Sequence, residues 1–410
     1  MLTAYFKHPF TLRKLRAGPA GPYLDDFASH LAEAGYSRDK IRAYLRGTGR
    51  LSAWAAQADL TVGHLDSRVL EPFGRYLDSQ GRLRGRRGEY SATFLGARHF
   101  VDFLEARGLV ATPAAAVEPA LVTEFCHWMR SQRGVTEATL NGYRPALRRL
   151  LVALGDQPEQ YTAKQLRGFV LGGAGAHRTS QVRTLVTVLR MFLRFLITDG
   201  RCPAELLVAI PAIAGWRRAS LPSYLNAEEV ERVIGTCDPA SAIGARDRAV
   251  LLLLARRGLR AGDVAALQLR AIDWEQGLFQ IAGKNRRQTV LPLPQDVGEA
   301  LLHYVLIHRP SAEISQVFIT AVAPFVPFSR WMVSAITARA LRLARIDAPS
   351  GGARLLRRSA ATAMLRQGAS LEAIGAVLRH TSIETTHIYT KVDIDLLEQV
   401  VVTWLEVESC

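Results

Sequence analysis

A chain of 410 residues with a formal net charge of +15 has the length of about three domains, each able to bury its own core, and its charge points to a polyanionic partner whose counterions Lys and Arg would displace. The four cysteines, Cys126, Cys202, Cys237 and Cys410, stand far apart with no CxxC or Cys/His spacing, which speaks against a zinc site or disulfide framework and fits a reducing, cytoplasmic compartment. The stretch from Met1 to Gly18 lacks the apolar run of a signal peptide, and the longest uninterrupted apolar run, Ala249 to Ala255, is too short to span a membrane.

A faint internal repeat runs through the first two hundred residues. Tyr36 to Tyr44 parallels Val135 to Tyr143, each a polar cap followed by helical spacing. More clearly, Arg98, Phe100, Phe103, Leu104 and Gly108 recur as Arg190, Phe192, Phe195, Leu196 and Gly200. Apolar residues three and four apart, then a glycine able to take a left-handed cap, predict an amphipathic helix and its stop. The first copy carries about seven extra residues, assigned to the basic stretch Gly81 to Gly88, where Arg82, Arg84, Arg86 and Arg87 crowd together. These arginines form either a solvated loop or, as favoured here, phosphate contacts.

The repeat predicts two helical modules, with helical cores over about 20–112 and 117–202, in domains 1–115 and 116–205 joined near Pro113 to Pro119. Gly172 to Gly175 reads as a flexible loop. A linker, beginning at about Arg201 and free of the second module over 206–221, carries Arg217 and Arg218 as further candidate DNA contacts.

Pro222 and an acidic turn capped by Asn226 open a third domain, 222–410. A helix through Arg246 to Arg257 stops at Gly258, and Arg260 follows just beyond, where its side chain can leave the core. A guanidinium is planar, permanently charged and forked, which suits a bidentate grip on phosphate. Alternation in Leu278–Ile281 and Thr289–Leu293 predicts a β-hairpin with Lys284, Arg286 and Arg287 at its turn. Gly283-Lys284 is no nucleotide loop, since that motif would need glycine at Leu278 and Ser or Thr at Asn285. From Phe328 helical patterns return, broken at Pro349 to Gly352 and near Gly368. They carry Arg357, His380 and Tyr389 in that order; His387 reads as a helix-face histidine. An apolar-patterned helix, Asp395 to Leu405, ends the domain and packs either on its own domain or on a neighbouring protomer.

Together Arg260 in ARRGLRAGDVAAL, Lys284 in FQIAGKNRRQTV, Arg357 in RLLRRSAATAML, and His380 with Tyr389 in LRHTSIETTHIYTKVD resemble the boxes of the tyrosine recombinase, or phage integrase, family over roughly residues 222 to 400. The resemblance implies a mainly α fold with a small β-sheet or hairpin: two N-terminal helical SAM-like DNA-binding modules, the second closing a clamp on DNA with a tyrosine recombinase catalytic domain. It further implies that Tyr389 attacks a DNA phosphodiester to form a 3′-phosphotyrosyl bond. Arg260, Arg357 and His380 would stabilise the charge on phosphorus, Lys284 would protonate the leaving 5′ oxygen, and Asp263 would orient neighbouring cations.

One position departs from the family pattern. Arg354 stands where a histidine is usual, and arginine cannot accept a proton. It either adds a third charge to the phosphate pocket, lowering the pKa of a phenol that ordinarily titrates near about 10, or marks weakened catalysis. The expected function is site-specific DNA recombination, as integrase or transposase of a mobile element, with no metal, ATP or other cofactor. Its partners would be double-stranded DNA and either a homotetramer on two duplexes or related recombinases, in the bacterial cytoplasm at the nucleoid and away from any membrane. The alternatives are a DNA-binding accessory subunit with feeble cleavage and a type IB topoisomerase-like relaxing enzyme.

Overall fold

The computed structural model describes residues 1–85, 88–111, 117–176, 179–211, 223–282, 288–348, 352–380 and 382–387. The chain divides into two compact units, one joining Met1–Pro113 to Ser220–Cys410 and the other formed by Ala114–Ala219. Mostly helical with one small sheet, the fold agrees with the expected class. No described helix is long and apolar enough to cross a membrane.

Helices α1 (Leu2–Tyr5), α2 (Pro9–Arg16), α3 (Leu24–Glu33), α4 (Arg38–Gln57), α5 (Leu70–Ser79) and α6 (Ala92–Ala106) enclose the first core. That core begins earlier than the repeat suggested, because Leu2, Phe6 and Leu15 are buried in it. α4 and α6 cross with their backbones almost in contact. A Cβ on Gly96 would lie 2.5 Å from the Tyr44 carbonyl oxygen, and one on Gly47 2.5 Å from that of Thr93, so only glycine permits the approach. The second unit repeats the plan in α7 (Ala120–Arg133), α8 (Glu137–Leu154), α9 (Ala163–Ala176), α10 (Thr179–Thr198) and α11 (Leu206–Ala209).

The duplication is visible in side chains. Phe27 meets Phe100 edge-on with ring centroids 5.2 Å apart and Phe103 at 5.4 Å, while Phe125 meets Phe192 at 5.6 Å and Phe195 at 6.0 Å. The expected stops match too. Gly108 and Gly200 take positive φ, and the following amides, of Leu109 and Arg201, donate to the carbonyls of Leu104 and Leu196 at 3.0 and 2.8 Å.

Two expectations need correction. Gly172 to Gly175 is helical, within α9, not a loop. Glycine costs such a helix about 1 kcal/mol per residue relative to alanine, but Leu166 and Val170 on the same helix are fully buried, and packing overrides propensity. The start of the supposed linker belongs to the second unit: Leu206 and Ile210 lie in its core, and Arg190 donates to the Ile210 carbonyl at 3.2 Å. In the basic insertion, Arg84 is held by its neighbours. Arg84 pairs with Tyr90 across it, donates from Nη1 to the Gly88 carbonyl at 2.7 Å and stacks on the Tyr90 ring at 4.8 Å. Arg82 is exposed, and Arg86, Arg87, Arg217 and Arg218 lie outside the described residues.

The remaining core of the first unit is built around α13 (Ala242–Arg257), whose run Ala249 to Ala255 is buried on every face. Around it stand α12 (Ala227–Gly235), α14 (Ala261–Ala266), α15 (Gln295–His303), α16 (Arg330–Leu343), α17 (Ala353–Arg366) and α18 (Leu371–Leu378). α12 begins as expected, with Asn226 and Glu229 forming a reciprocal cap. Strands β1 (Ile272–Asp273), β2 (Leu278–Ala282) and β3 (Gln288–Pro292) form an antiparallel sheet in that order. Phe279 pairs with Leu291, which turns their side chains into the core. β2 and β3 are the expected hairpin; Lys284, Arg286 and Arg287 between them lie outside the described residues.

The first core also takes in Ala323 and Phe325 from the segment preceding α16, and a Cβ on Gly35 would lie 2.8 Å from the Phe325 ring. Inside the α13 core, Asp247 is fully buried, with Arg246 2.8 Å away and Arg339 on its other oxygen. Removing a buried carboxylate strands two cations. Asp247→Ala is therefore expected to cost about 3–5 kcal/mol, read as a lower urea midpoint of the full chain; Arg339→Ala, removing a half-exposed partner, costs less. A shift below about 1 kcal/mol for Asp247→Ala would contradict this assignment.

Candidate active site

The site forms where two helices end against each other. α13 stops at Gly258 with φ +57°, and a Cβ there would sit 2.5 Å from Leu378 of α18, so the close approach requires glycine twice over. Both helix ends present carbonyls with no partner in their own helix. Arg357, in the second turn of α17 and 8% exposed, satisfies one at each end. Its Nη1 donates to the Gly258 carbonyl and its Nη2 to that of Leu378 at 2.5 Å.

Two residues beyond Gly258 the chain is extended at Arg260 and surfaces there before α14 begins. Arg260 Nη2 donates to the Arg379 carbonyl at 2.7 Å, and the Arg260 amide donates to Asp263 Oδ2 at 3.2 Å. Thus both expected arginines are hung from consecutive carbonyls at the end of α18, the negative end of its dipole. Arg260 is exposed, so the rest of its fork is turned toward solvent.

His380 is the next residue. Its amide donates to the Gly375 carbonyl at 2.9 Å, which fixes the turn, and its ring Nδ1 lies 2.8 Å from the hydroxyl of the buried Thr386. Burial, then the charges of Arg357 and Arg260, push its pKa down to about 4, so the imidazole is neutral at pH 7.

Asp263 stands among cations, and the one it holds was not foreseen. Arg379, with φ +54°, donates from Nη2 to Asp263 Oδ2, and the two side chains are only 9% and 15% exposed. The sequence displays Arg379 beside His380 without any sign of a left-handed backbone. Thr386 was likewise missed, as one of two adjacent threonines with nothing to set it apart. Arg354 lies one turn before Arg357 on α17 and is exposed. Arg260, Asp263, Arg357 and His380 are therefore brought together, whereas Lys284, Tyr389 and the 395–405 tail lie outside the described residues. His387 is exposed. Chemically, the described cluster offers guanidinium donors and a neutral imidazole on one surface, with its carboxylate already engaged. Such a surface suits a phosphoryl group gaining negative charge.

Comparison with known proteins agrees with this geometry. A model described as the phage integrase family matches residues 223–395. The chain is 32% identical over 406 residues to y4rA of Sinorhizobium fredii (strain NBRC 101917 / NGR234), which is described as an integrase/recombinase, and the match covers 96% of this chain and 97% of that relative. Tyrosine recombinase XerD of Lacticaseibacillus casei is 26% identical, over 66% of this chain and 93% of its own. Among solved structures, the XerH site-specific recombinase bound to a palindromic difH substrate shares the fold with a TM-score of 0.54 at 18% identity, covering 81% of this chain and 93% of that one.

The depressed pKa of His380 has a defined sign. Folded, the ring resists protonation; unfolded, it titrates near the ordinary 6.5. The contribution to stability is fully present above pH 6.5 and is lost as pH falls from there toward about 4. His380→Gln should flatten the pH dependence of stability in that window. In an NMR titration the His380 ring signals should stay fixed between about pH 8 and 5.5, and Arg260→Ala should move the midpoint upward by removing a like charge; an ordinary midpoint in the wild-type chain would refute the reading.

Proposed function

The chain belongs to the phage integrase family of tyrosine recombinases, and from that premise we propose that it cuts and rejoins DNA at specific sites through a 3′-phosphotyrosyl intermediate. The observation that carries this reading is the convergence of Arg260, Arg357 and His380 on the turn ending α18, with Asp263 engaged by Arg379 and so not opposing a phosphate. In the proposed step, Tyr389, nine residues after His380 in the chain, attacks phosphorus as the bond to the 5′ oxygen breaks. Arg260 and Arg357 hold the non-bridging oxygens. With the Thr386 hydroxyl donating to Nδ1, His380 carries its proton on Nε2 and donates it as a hydrogen bond to the same phosphate.

Lys284, between β2 and β3 in the sequence, supplies the proton to the leaving oxygen. Arg354 cannot serve as a base, so its part is electrostatic: with Arg357 one turn away it favours the phenolate form of Tyr389. One phosphodiester bond is exchanged for one phosphotyrosine bond of similar energy, and a free 5′-hydroxyl of the partner strand reverses the step. Arg82, Arg84, Arg86, Arg87, Arg217, Arg218, Arg286 and Arg287 serve as phosphate contacts along the duplex. The domains are read as 1–115, 116–205 extended through Ile210, and 222–410, with the linker confined to the residues after Ile210, and the active assembly as four protomers on two duplexes. The 395–405 tail is read as packing either on its own domain or on a neighbouring protomer.

A role in a mobile element is favoured over chromosome resolution because the integrase/recombinase y4rA matches nearly the whole chain, both modules included, whereas the match to XerD leaves the rest of this chain without a counterpart. The cytoplasm at the nucleoid is the compartment consistent with a DNA substrate.

A suicide duplex nicked beside the cleavage site provides the test. Covalent protein–DNA adduct should form with the wild-type chain and be absent with Tyr389→Phe; Arg357→Ala should slow its formation by about 10²–10³-fold. Exchange of strands between two labelled duplexes then separates a recombinase from a relaxing topoisomerase. No adduct at any candidate site would leave the accessory-subunit reading in its place.

A further inference from the structure

Arg379 combines three unfavourable features at one residue. It is one of the described non-glycine residues with positive φ, at +54°, a conformation that L side chains adopt only under constraint. Its guanidinium is nine-tenths buried, yet Nε and Nη1 have no hydrogen-bond partner among the described residues. A single carboxylate, that of Asp263, accepts from it. Desolvating a cation with donors unsatisfied works against stability. Glycine would relieve both the backbone strain and the burial, so stability does not account for arginine here.

What the residue does hold is Arg260. The Arg379 carbonyl, directed by the left-handed turn, accepts from Arg260 Nη2, and the Arg379 side chain fixes Asp263, whose carboxylate accepts from the Arg260 amide. Arg260 is thereby held at its backbone and its tip by groups that both depend on Arg379, and His380 follows directly in the chain. We propose that Arg379 is a positioning residue that sets the orientation of Arg260 through Asp263 and through its own carbonyl. This rests on the recombinase reading above, in which Arg260 grips the scissile phosphate.

The test uses the full chain and the suicide duplex. Arg379→Gly keeps the backbone conformation and removes the guanidinium, so the protein should melt no lower than wild type. Its single-turnover adduct formation at saturating DNA should fall about 10- to 100-fold, with affinity for the duplex changed less than about threefold; Arg379→Lys, which keeps the charge, should recover part of the rate. A glycine variant cleaving within about twofold of wild type overturns the proposal, as does a parallel loss of rate and affinity, which would make Arg379 a DNA contact. If Arg379→Gly fails to fold, the lysine variant decides on the same split between rate and affinity. Should even the wild-type chain form no adduct, the recombinase reading fails separately. The positioning role is then judged in the free protein by 15N arginine NMR: greater mobility of the Arg260 side chain in Arg379→Gly supports it, and unchanged order overturns it.

Discussion

A buried guanidinium shared between two helix ends governs the architecture of the C-terminal part of this chain. α13 and α18 approach with their carbonyl ends facing, an arrangement that leaves acceptors unpaired and opposes like dipole ends. Arg357 resolves both problems at once, and the absence of a side chain at Gly258 allows the distance. The contact that closes the fold therefore also installs a permanent positive charge at the point where Arg260 and His380 emerge. Structure and chemistry share one side chain.

The charge pattern at this point differs in kind from the basicity of the chain as a whole. A net charge of +15 provides long-range attraction to a polyanion that salt screens. The cluster beside α18 is short-ranged and directional, with donors fixed by hydrogen bonds to the backbone. His380 remains neutral because burial and the two arginines disfavour a further cation. Asp263 is engaged by Arg379, so it orients the site without cancelling it.

The two N-terminal repeats show how one plan diverges under different surroundings. Both retain a phenylalanine from an early helix wedged against a pair from the last one. The first has added helices α1 and α2, an insertion in which Arg84 pairs with Tyr90, and a contact with Ala323 and Phe325 from the distant α16 approach. The second has instead recruited α11 from what reads as a linker, because Leu206 and Ile210 are apolar and the core beside them accepts both.

Local pattern was enough for much of this. The spacing of apolar residues fixed the helices around Phe100 and Phe192, the glycine stops at Gly108, Gly200 and Gly258, the cap at Asn226 and the β2–β3 hairpin, because each depends on residues within a few positions of one another. The ordered boxes also named Arg260, Asp263, Arg357 and His380. Sequence pattern misled where burial decided, as in α11, and where α9 continues through its glycines past the buried Val170. Left to tertiary structure alone were the carbonyls that hold Arg357 and Arg260, the neutrality of His380, and the part played by Arg379. Most of these arise between residues roughly a hundred positions apart, as from Gly258 to Arg357 and from Arg260 and Asp263 to Arg379, and a backbone angle or a distant carbonyl leaves no mark on the identity of the residue that meets it.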